Sequence, residues 1–263
     1  MVNNFWFEAK NINCFKNGFR VIKDLNLKID YSENVILIGP NGSGKSSLIE
    51  IINRNLYPVV ANESKLKIFD KELVNLWELR NKISTVNNDI KKRINPKLQV
   101  FDLIVSGLYG RYCYIQNKSE RDLYKVEKIM KKMNISNLSK KYFSYLSDGE
   151  KQISLIARAL IKKPKILILD EPIANLDYKS KFFVIDKINE LSKLNTKLLC
   201  VTHNISMITS IYDQVIMLKA GEIIAKGNQQ QVINSENLKK LYGIDLEVIK
   251  NNGLWTIKRL SKE

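Results

Sequence analysis

Short, fully apolar segments recur along the chain and alternate with segments in which apolar residues follow helical spacing. The apolar segments at 35–38, 166–169 and 198–201 contain only Val, Ile, Leu and Cys. Strands of this kind are buried on both faces, which is typical of a parallel sheet covered by helices. Helices are predicted over 47–56 and 178–194. The pattern therefore predicts an α/β fold with a mostly parallel sheet.

The first 30 residues follow a different pattern. Residues 5–30 alternate apolar and polar positions, which predicts antiparallel strands, and Asn17-Gly18 between them is a strong turn signal. The segments 66–69 and 83–86 are predicted as further strands. An antiparallel layer in this place can supply an aromatic side chain that stacks on a purine. Phe15 is the candidate, although its spacing fits a plain apolar residue nearly as well.

The segment between Asp89 and Lys163 contains no fully apolar strand. Segments 101–105 and 121–130 have helical spacing instead. We therefore predict one domain over 1–263, with an inserted α-helical subdomain (89–162) and an α/β core (1–88 plus 163–263). The end of the chain is predicted as strands and helices over 214–242, closed by a hairpin of 246–249 and 255–258 through Asn251-Asn252-Gly253.

A glycine-rich loop follows the first apolar segment and precedes a helix. Residues 39–46 read Gly-Pro-Asn-Gly-Ser-Gly-Lys-Ser, which has the spacing G-x-x-x-x-G-K-[ST] of a phosphate-binding P-loop. Such a loop curls backbone N–H groups around an anion, and the helix N-terminus adds about half a positive charge. We predict that Lys45 contacts the β- and γ-phosphates of a nucleoside triphosphate and that the Ser46 hydroxyl ligates Mg²⁺.

Two adjacent carboxylates, Asp170 and Glu171, follow the apolar segment 166–169. Ligands of α/β sheets bind at the carboxyl ends of the strands. We predict that Asp170 holds Mg²⁺ through water and that Glu171 polarises the attacking water. The alternative is an acidic loop after a core strand, which the upstream P-loop disfavours.

A helix start lies between these two motifs. Ser147 with Glu150 three residues later forms a capping box, and the simplest interpretation is a well-capped amphipathic helix. The same geometry would let the Ser147 hydroxyl, the Gly149 N–H and the helix dipole form a second anion site. One chain with two γ-phosphate sites is expected if the second site completes the nucleotide site of another copy.

Composition narrows the choice of partners. The net charge of +16 comes from 35 Lys and 8 Arg spread over the whole chain, and Lys is poor at bidentate recognition, so we expect no nucleic-acid partner. Attraction to anionic lipid head groups is an alternative use of the charge. No apolar segment approaches the ~20 residues that span a bilayer. The three cysteines are scattered, which suits a reducing cytosol.

The sequence resembles the ABC ATPase family over nearly its whole length. Gly39–Ser46 is similar to the Walker A loop of that family and Leu146–Glu150 to a variant of its signature motif. Ile166–Glu171 resembles Walker B, and Asn175-Leu176-Asp177 resembles the D-loop. Val201-Thr202-His203 resembles the segment that carries the switch histidine.

This resemblance implies an ATP-hydrolysing subunit that pairs with a second ATPase subunit and with an integral membrane permease. The ATPase pair is expected to be a homodimer, with a heterodimer as the alternative. His203, the only histidine in the chain, is expected to contact the γ-phosphate and to hold Glu171 and its water. Phe15 stands where the family carries its adenine-stacking aromatic. The implied catalytic residues are Glu171, His203 and Lys45; the implied ATP-binding residues are Phe15, Gly39, Pro40, Asn41, Gly42, Ser43, Gly44, Lys45, Ser46, Ser47, Ser147, Gly149 and Asp177; and the implied Mg²⁺ ligands are Ser46, Asn88 and Asp170.

The sequence departs from the family pattern in three places. The glutamine of the Q-loop, which touches Mg²⁺ and links to the membrane partner, is Asn88 here, or Asn87 if the register slips by one. The signature motif carries Asp148 for glycine and Glu150 for glutamine. Ile153 stands where many members have arginine. None of these positions belongs to the implied catalytic set, so we expect hydrolysis to be retained.

Within the family, Val105–Tyr112 is similar to ATPases of iron–siderophore, haem, cobalamin and zinc or manganese importers. The span from Leu76 to Gly107 also resembles the molybdate/photorepair-like ATPases. We predict import of a metal, a metal chelate or a similar small solute, driven from the cytoplasmic, inner face of the cell membrane. The alternatives are a soluble ABC-type ATPase that acts on nucleic acid or ribosomes, and a binding module whose turnover is weak because of Asn88.

Overall fold

The structure is a computed structural model that describes residues 4–61, 63–251 and 253–259. The chain divides into two units. One unit contains Met1–Arg80 and Lys197–Glu263, and the other contains Asn81–Thr196. In the described part of the chain, no helix is long and apolar enough to cross a bilayer.

The strands of the described residues fall close to the predicted segments. They are β1 (Phe5–Lys16), β2 (Phe19–Asp30), β3 (Val35–Ile38), β4 (Lys65–Ile68), β5 (Ile83–Val86), β6 (Ile166–Asp170), β7 (Lys197–Thr202), β8 (Gln214–Lys219), β9 (Glu222–Gly227), β10 (Leu246–Asn251) and β11 (Leu254–Arg259).

The α-helices include the predicted amphipathic segments and several short ones. They are α1 (Lys45–Ile52), α2 (Leu76–Lys82), α3 (Asn88–Arg93), α4 (Val100–Leu108), α5 (Glu120–Lys132), α6 (Asp148–Leu160), α7 (Tyr178–Leu191), α8 (Gln229–Val232) and α9 (Ser235–Tyr242). Short 3₁₀ turns lie at Ser136–Leu138, Phe143–Tyr145 and Ile205–Met207.

The first unit contains the parallel strands that carry the glycine-rich loop. Strand β3 is fully buried and pairs in parallel with β7 and with β8, and β9 adds an antiparallel edge, in the order β7-β3-β8-β9. A separate antiparallel sheet has the order β2-β1-β4. These sheets confirm the predicted combination of a mostly parallel sheet and an antiparallel N-terminal layer.

The second unit contains the parallel pair β5 and β6 and the helices α3 to α7. Ile83 pairs with Ile166 and Val86 with Leu169, so the ends of the two strands are aligned. Helix α4 packs against α6, and α6 packs against α7. Val126 and Met130, in the segment with predicted helical spacing, are the buried residues of α5. The helices between β5 and β6 are the α-helical insertion that the fold prediction included.

Several predicted boundaries are wrong by a few residues. The first helix ends at Ile52 rather than at 56, because Arg54 adopts a left-handed backbone with φ of 57° and the chain turns there. Helix α7 ends at Leu191 rather than at 194. The C-terminal hairpin forms as predicted from β10 and β11, and Asn252 of its turn lies outside the described residues.

Helices α4 and α6 are in tight contact at Gly107. A Cβ on Gly107 would lie 2.5 Å from the carbonyl oxygen of Arg158. The Arg158 guanidinium is itself fixed, because Nη2 donates to the Arg111 carbonyl at 2.7 Å and the group stacks over Tyr112. The backbone of α6 therefore leaves no room for a side chain at this position.

We expect Gly107→Ala to lower the free energy of unfolding by about 2 kcal/mol, because overpacking at a backbone contact is not relieved by a rotamer change. Urea-induced unfolding measures this loss. Gly110→Ala is the control, since a Cβ there meets open space and only the left-handed backbone (φ of 66°) costs about 1 kcal/mol. Equal losses in the two variants would contradict the packing argument.

Candidate functional site

The glycine-rich loop joins β3 to α1 in the first unit. Gly44 caps α1 with φ of 103°, a left-handed conformation that glycine adopts without strain. A Cβ on Gly44 would also lie 2.8 Å from the Val21 carbonyl of β2. The Gly221 N–H, in the turn between β8 and β9, donates to the Ser43 carbonyl at 2.8 Å. The loop is therefore held from outside by two neighbouring elements.

Lys45 is folded back into this loop. Its Nζ donates to the carbonyls of Gly39 at 2.8 Å and Pro40 at 2.9 Å, and the side chain is only 7% exposed. The buried Ser43 Oγ has no hydrogen-bond partner among the described residues. A buried ammonium and an unpaired hydroxyl inside a loop at a helix N-terminus fit a bound phosphate. Asn41, Gly42 and Ser46 lie exposed around them.

His203 is the first residue after β7, the strand that pairs with β3. Ile38 pairs with Thr202, so Gly39 and His203 leave their strands at the same level. The side chain of His203 is exposed, whereas Thr202 is fully buried. The sheet register therefore brings the predicted switch histidine and the glycine-rich loop to the same edge.

Phe15 lies on β1, paired with Arg20 of β2. Its side chain is 48% exposed, so it is a surface aromatic and not a core residue. It belongs to the antiparallel sheet whose residue Val21 touches the glycine-rich loop. This placement is compatible with the predicted stacking role.

The two predicted catalytic carboxylates end β6 in the second unit. Asp170 is the last residue of the strand, and Glu171 has φ of 49°. A non-glycine residue in the left-handed region is uncommon and concentrates at functional sites. The end of a buried strand thus presents Glu171 on a sharply turned backbone.

Ser147 begins α6 with a complete capping box. Its Oγ accepts from the Glu150 N–H at 3.2 Å, and its own N–H donates to the Glu150 carboxylate at 2.8 Å. Burial raises the pKa of Glu150, but the hydrogen bond from Ser147 and the nearby Lys141 outweigh it and leave the pKa below its ordinary value. Lys141 pairs with Glu150 and Lys151 with Asp148, both at 3.2 Å. Asp148 and Glu150, the two acidic residues that differ from the family pattern, therefore each form an ion pair with a lysine.

The start of α6 and the N-cap of α7, Asp177 of the predicted D-loop, meet at Ser180. A Cβ on Gly149 would lie 3.2 Å from the Ser180 Cβ. The carboxylate of Asp177 accepts from the Ser180 N–H at 2.9 Å and from its hydroxyl at 2.8 Å, which caps α7. The backbone hydrogen bond from Ser180 holds the pKa of Asp177 below its ordinary value. The second unit thus brings Gly149 and Asp177 together through one serine.

The structure separates the two candidates for the Q-loop amide. Asn87 is the N-cap of α3, and its Oδ1 accepts from the Ile90 N–H at 3.2 Å. Asn88 is the first residue of the helix. One candidate therefore caps the helix and the other lies in its first turn, and the Mg²⁺ contact of Asn88 stays a prediction.

Sequence reasoning missed the residues that hold the segment after His203. The Tyr242 hydroxyl donates to the His203 carbonyl at 3.3 Å, and Trp255 and Gln229 form a second contact with the same segment. These residues are far apart in the sequence and follow no motif, so no local signal points to them.

Comparisons with known proteins agree with one another. The family described as ABC transporter matches residues 22–174. An uncharacterized ABC transporter ATP-binding protein of Methanocaldococcus jannaschii is 35% identical over 89% of this chain and 90% of its own length. Another, from Lactococcus lactis subsp. lactis, is 30% identical over 91% of this chain and 93% of its own length. A solved dimeric ATP-binding cassette in a post-hydrolysis state with ADP and Pi matches with a TM-score of 0.68 and 26% identity, over 84% of this chain and 98% of that one.

Proposed function

The chain belongs to the ABC transporter ATP-binding family, and we propose that two copies of it sandwich two ATP molecules head to tail and drive a separate membrane permease. The chain binds ATP and hydrolyses it to ADP and phosphate, as an ATPase of this family. The observation that carries the proposal is that one chain contains two helix starts suited to phosphate, the loop before α1 and the capping box at Ser147. In the proposed pair, the capped helix of one copy binds the γ-phosphate held by the loop of the other.

In each proposed site the loop of one copy holds the nucleotide. Lys45 and the loop N–H groups bind the β- and γ-phosphates, and the exposed ring of Phe15 stacks on adenine. Glu171 polarises the attacking water, while His203 contacts the γ-phosphate. From the other copy, Ser147 and Gly149 bind the γ-phosphate and Asp177 contacts the nucleotide.

The proposed Mg²⁺ ligands supply only oxygen atoms. They are the Ser46 hydroxyl, the Asn88 amide and the Asp170 carboxylate, a donor set that suits this hard cation. Among the described residues, no three His, Cys, Asp or Glu side chains form a metal-binding group. Mg²⁺ usually keeps waters and phosphate oxygens as ligands, so a protein cage is not required. When bound, Mg²⁺ neutralises charge that develops between the β- and γ-phosphates.

ATP drives pairing because it contacts both copies only in the closed state. A ligand shifts an equilibrium by as much as its affinities for the two states differ. Loss of the γ-phosphate on hydrolysis removes the contact with Ser147 and Gly149 of the other copy. The pair then reopens, and this cycle is the motion that the permease uses.

The proposed cargo is a metal, a metal chelate or a similar small solute, whose import this chain drives from the inner face of the cell membrane. The support is the resemblance of Val105–Tyr112 to importers of such solutes, and the names of the two relatives specify no solute. Purification from membranes with the permease attached, followed by uptake assays in vesicles, tests the cargo.

We expect Ser147→Asp to abolish ATP-driven pairing and to leave the fold intact. Aspartate is as good an N-cap as serine, so α6 keeps its cap, but its charge repels the γ-phosphate of the other copy. Sedimentation velocity with and without ATP measures pairing, and thermal unfolding checks stability. Ser147→Thr, which keeps the hydroxyl, is the control. Normal pairing of the aspartate variant would contradict the head-to-tail arrangement.

A soluble ATPase that acts on nucleic acid or ribosomes is the second candidate. The net charge of +16 would attract a polyanion, although this charge is spread over the whole chain and comes mainly from lysine. Salt-sensitive binding to RNA or DNA would support it, because the release of counterions makes such binding weaken steeply with salt. Co-purification with a membrane permease would support the transporter. Steady-state ATPase rates of the parent protein and of Asn88→Gln distinguish an active ATPase of either kind from a binding module. In a binding module whose turnover is weak because of Asn88, the substitution should raise the rate.

A further inference from the structure

The ten residues that follow β7 are held by the C-terminal part of the first unit. We refer to residues 203–212 as the histidine loop. Within it Ile205, Met207, Ile208 and Tyr212 are buried, and strand β11 packs against its 3₁₀ turn. The His203 side chain therefore stands on a loop whose apolar residues are already covered.

Gln229, the first residue of α8, holds the far end of the histidine loop. Its Nε2 donates to the Thr209 carbonyl at 2.7 Å and to the Tyr212 carbonyl at 3.0 Å. Its Oε1 accepts from the indole Nε1 of Trp255 at 3.1 Å. Because an indole N–H is a donor only, it fixes which way the amide faces. Trp255 on β11 is 7% exposed, so this orientation is set in a shielded place.

Tyr242, the last residue of α9, holds the near end of the histidine loop. Its hydroxyl donates to the His203 carbonyl at 3.3 Å. The following residue, Gly243, is left-handed with φ of 75°, and its N–H donates to the Lys239 carbonyl, which closes α9 at this point. On the other side of His203, the Asn204 N–H donates to the buried Thr202 hydroxyl at 3.0 Å. The backbone of His203 is thus bonded on both sides.

We propose that Tyr242, Gln229 and Trp255 are positioning residues for ATP hydrolysis, which act by fixing the backbone that carries His203. This inference rests on the proposed role of His203 at the γ-phosphate. A residue on an exposed loop must be ordered before it can contact a phosphate, and holding both ends of the loop in advance removes most of that conformational entropy. The match to the family covers residues 22–174 and so includes none of these contacts.

Two variants remove one hydrogen-bond donor each and keep an aromatic ring at the position. Tyr242→Phe removes the hydroxyl, and Trp255→Phe removes the indole N–H. We expect each variant to lower kcat for ATP hydrolysis by about fivefold, the change that corresponds to one neutral hydrogen bond, and to leave KM for ATP unchanged. Tyr124→Phe and Trp77→Phe, at exposed positions, are the matched controls and are expected to retain the parent rate.

The single histidine gives a direct readout of position. With one histidine in the chain, the imidazole C–H signals in an NMR spectrum of histidine-labelled protein belong to His203 without further assignment. Addition of a non-hydrolysable ATP analogue should shift these signals in the parent protein and in both controls. In Tyr242→Phe and Trp255→Phe the shift should be smaller or the signal broadened.

Three outcomes separate this inference from the proposed function. A lower kcat together with an altered His203 signal in both variants supports the inference. The inference is overturned if Tyr242→Phe and Trp255→Phe keep the kcat of the parent protein, or if their kcat falls while the His203 signal is unaltered. The proposed role of His203 survives either result, provided that His203→Ala is inactive. A His203→Ala variant that retains full turnover overturns the proposed role of His203 itself.

Discussion

Glu171→Gln is expected to bind ATP, to fail to hydrolyse it and to accumulate as a stable pair. The substitution keeps the size of the side chain but removes the charge that polarises the attacking water. General-base catalysis typically contributes about 10²- to 10⁴-fold, and turnover should fall by a similar factor. The proposed phosphate contacts of Lys45 and Ser147 are untouched, so we expect the ATP-bound pair to stay closed while ATP is not hydrolysed.

Size-exclusion chromatography with and without ATP, together with phosphate release, measures both halves of this result. Glu127→Gln, at an exposed position of α5, is the control and should behave as the parent protein. The decisive observation is the size of the Glu171→Gln species in ATP. If it elutes as a monomer while ATP is bound, ATP does not hold two copies together.

Lys45→Met is expected to lose ATP binding without losing stability. Methionine fills similar space but removes the ammonium that the Gly39 and Pro40 carbonyls hold inside the loop. Hydrogen bonds to charged groups contribute about 1.5–3 kcal/mol, so ATP affinity should fall about 10- to 100-fold. Removal of a buried charge also removes its desolvation penalty, so unfolding should not become easier.

Isothermal titration calorimetry with ATP measures this affinity, and urea unfolding of the same sample checks the fold. Lys65→Met, on an exposed position of β4, keeps the binding site and should bind ATP as the parent protein does. An unchanged affinity in Lys45→Met would remove the loop from the proposed nucleotide site.

Local chemistry explains why much of the site could be predicted from the sequence. A phosphate-binding loop requires glycine, lysine and serine at closely spaced positions, so the sequence of Gly39–Ser46 is enough by itself to predict the loop. The capping box is also local, since Ser147 and Glu150 are one helical turn apart, and the structure contains it. Buried parallel strands such as β3 and β6 were predicted because their apolar segments have no polar face.

Contacts between distant residues explain what the sequence did not reveal. The sequence identifies the departure at Glu150 but not its partner, because Lys141 lies nine positions away on a loop, where no helical spacing indicates it. The bond from Tyr242 to His203 spans 39 positions. The end of α1 is likewise not evident from the sequence, because arginine rarely adopts the left-handed backbone that Arg54 has here. Its guanidinium donates to the Glu72 carbonyl at 2.9 Å.

Beyond its part in the N-cap of α7, Ser180 connects two helix starts of the second unit. It lies against Gly149 near the start of α6, and it is bonded twice to Asp177, the N-cap of α7, so the starts of the two helices are in contact. In the proposed head-to-tail pair, a shift at the start of one of these helices is therefore expected to displace the start of the other. We therefore expect the two ATP sites of the proposed pair to hydrolyse ATP cooperatively rather than independently.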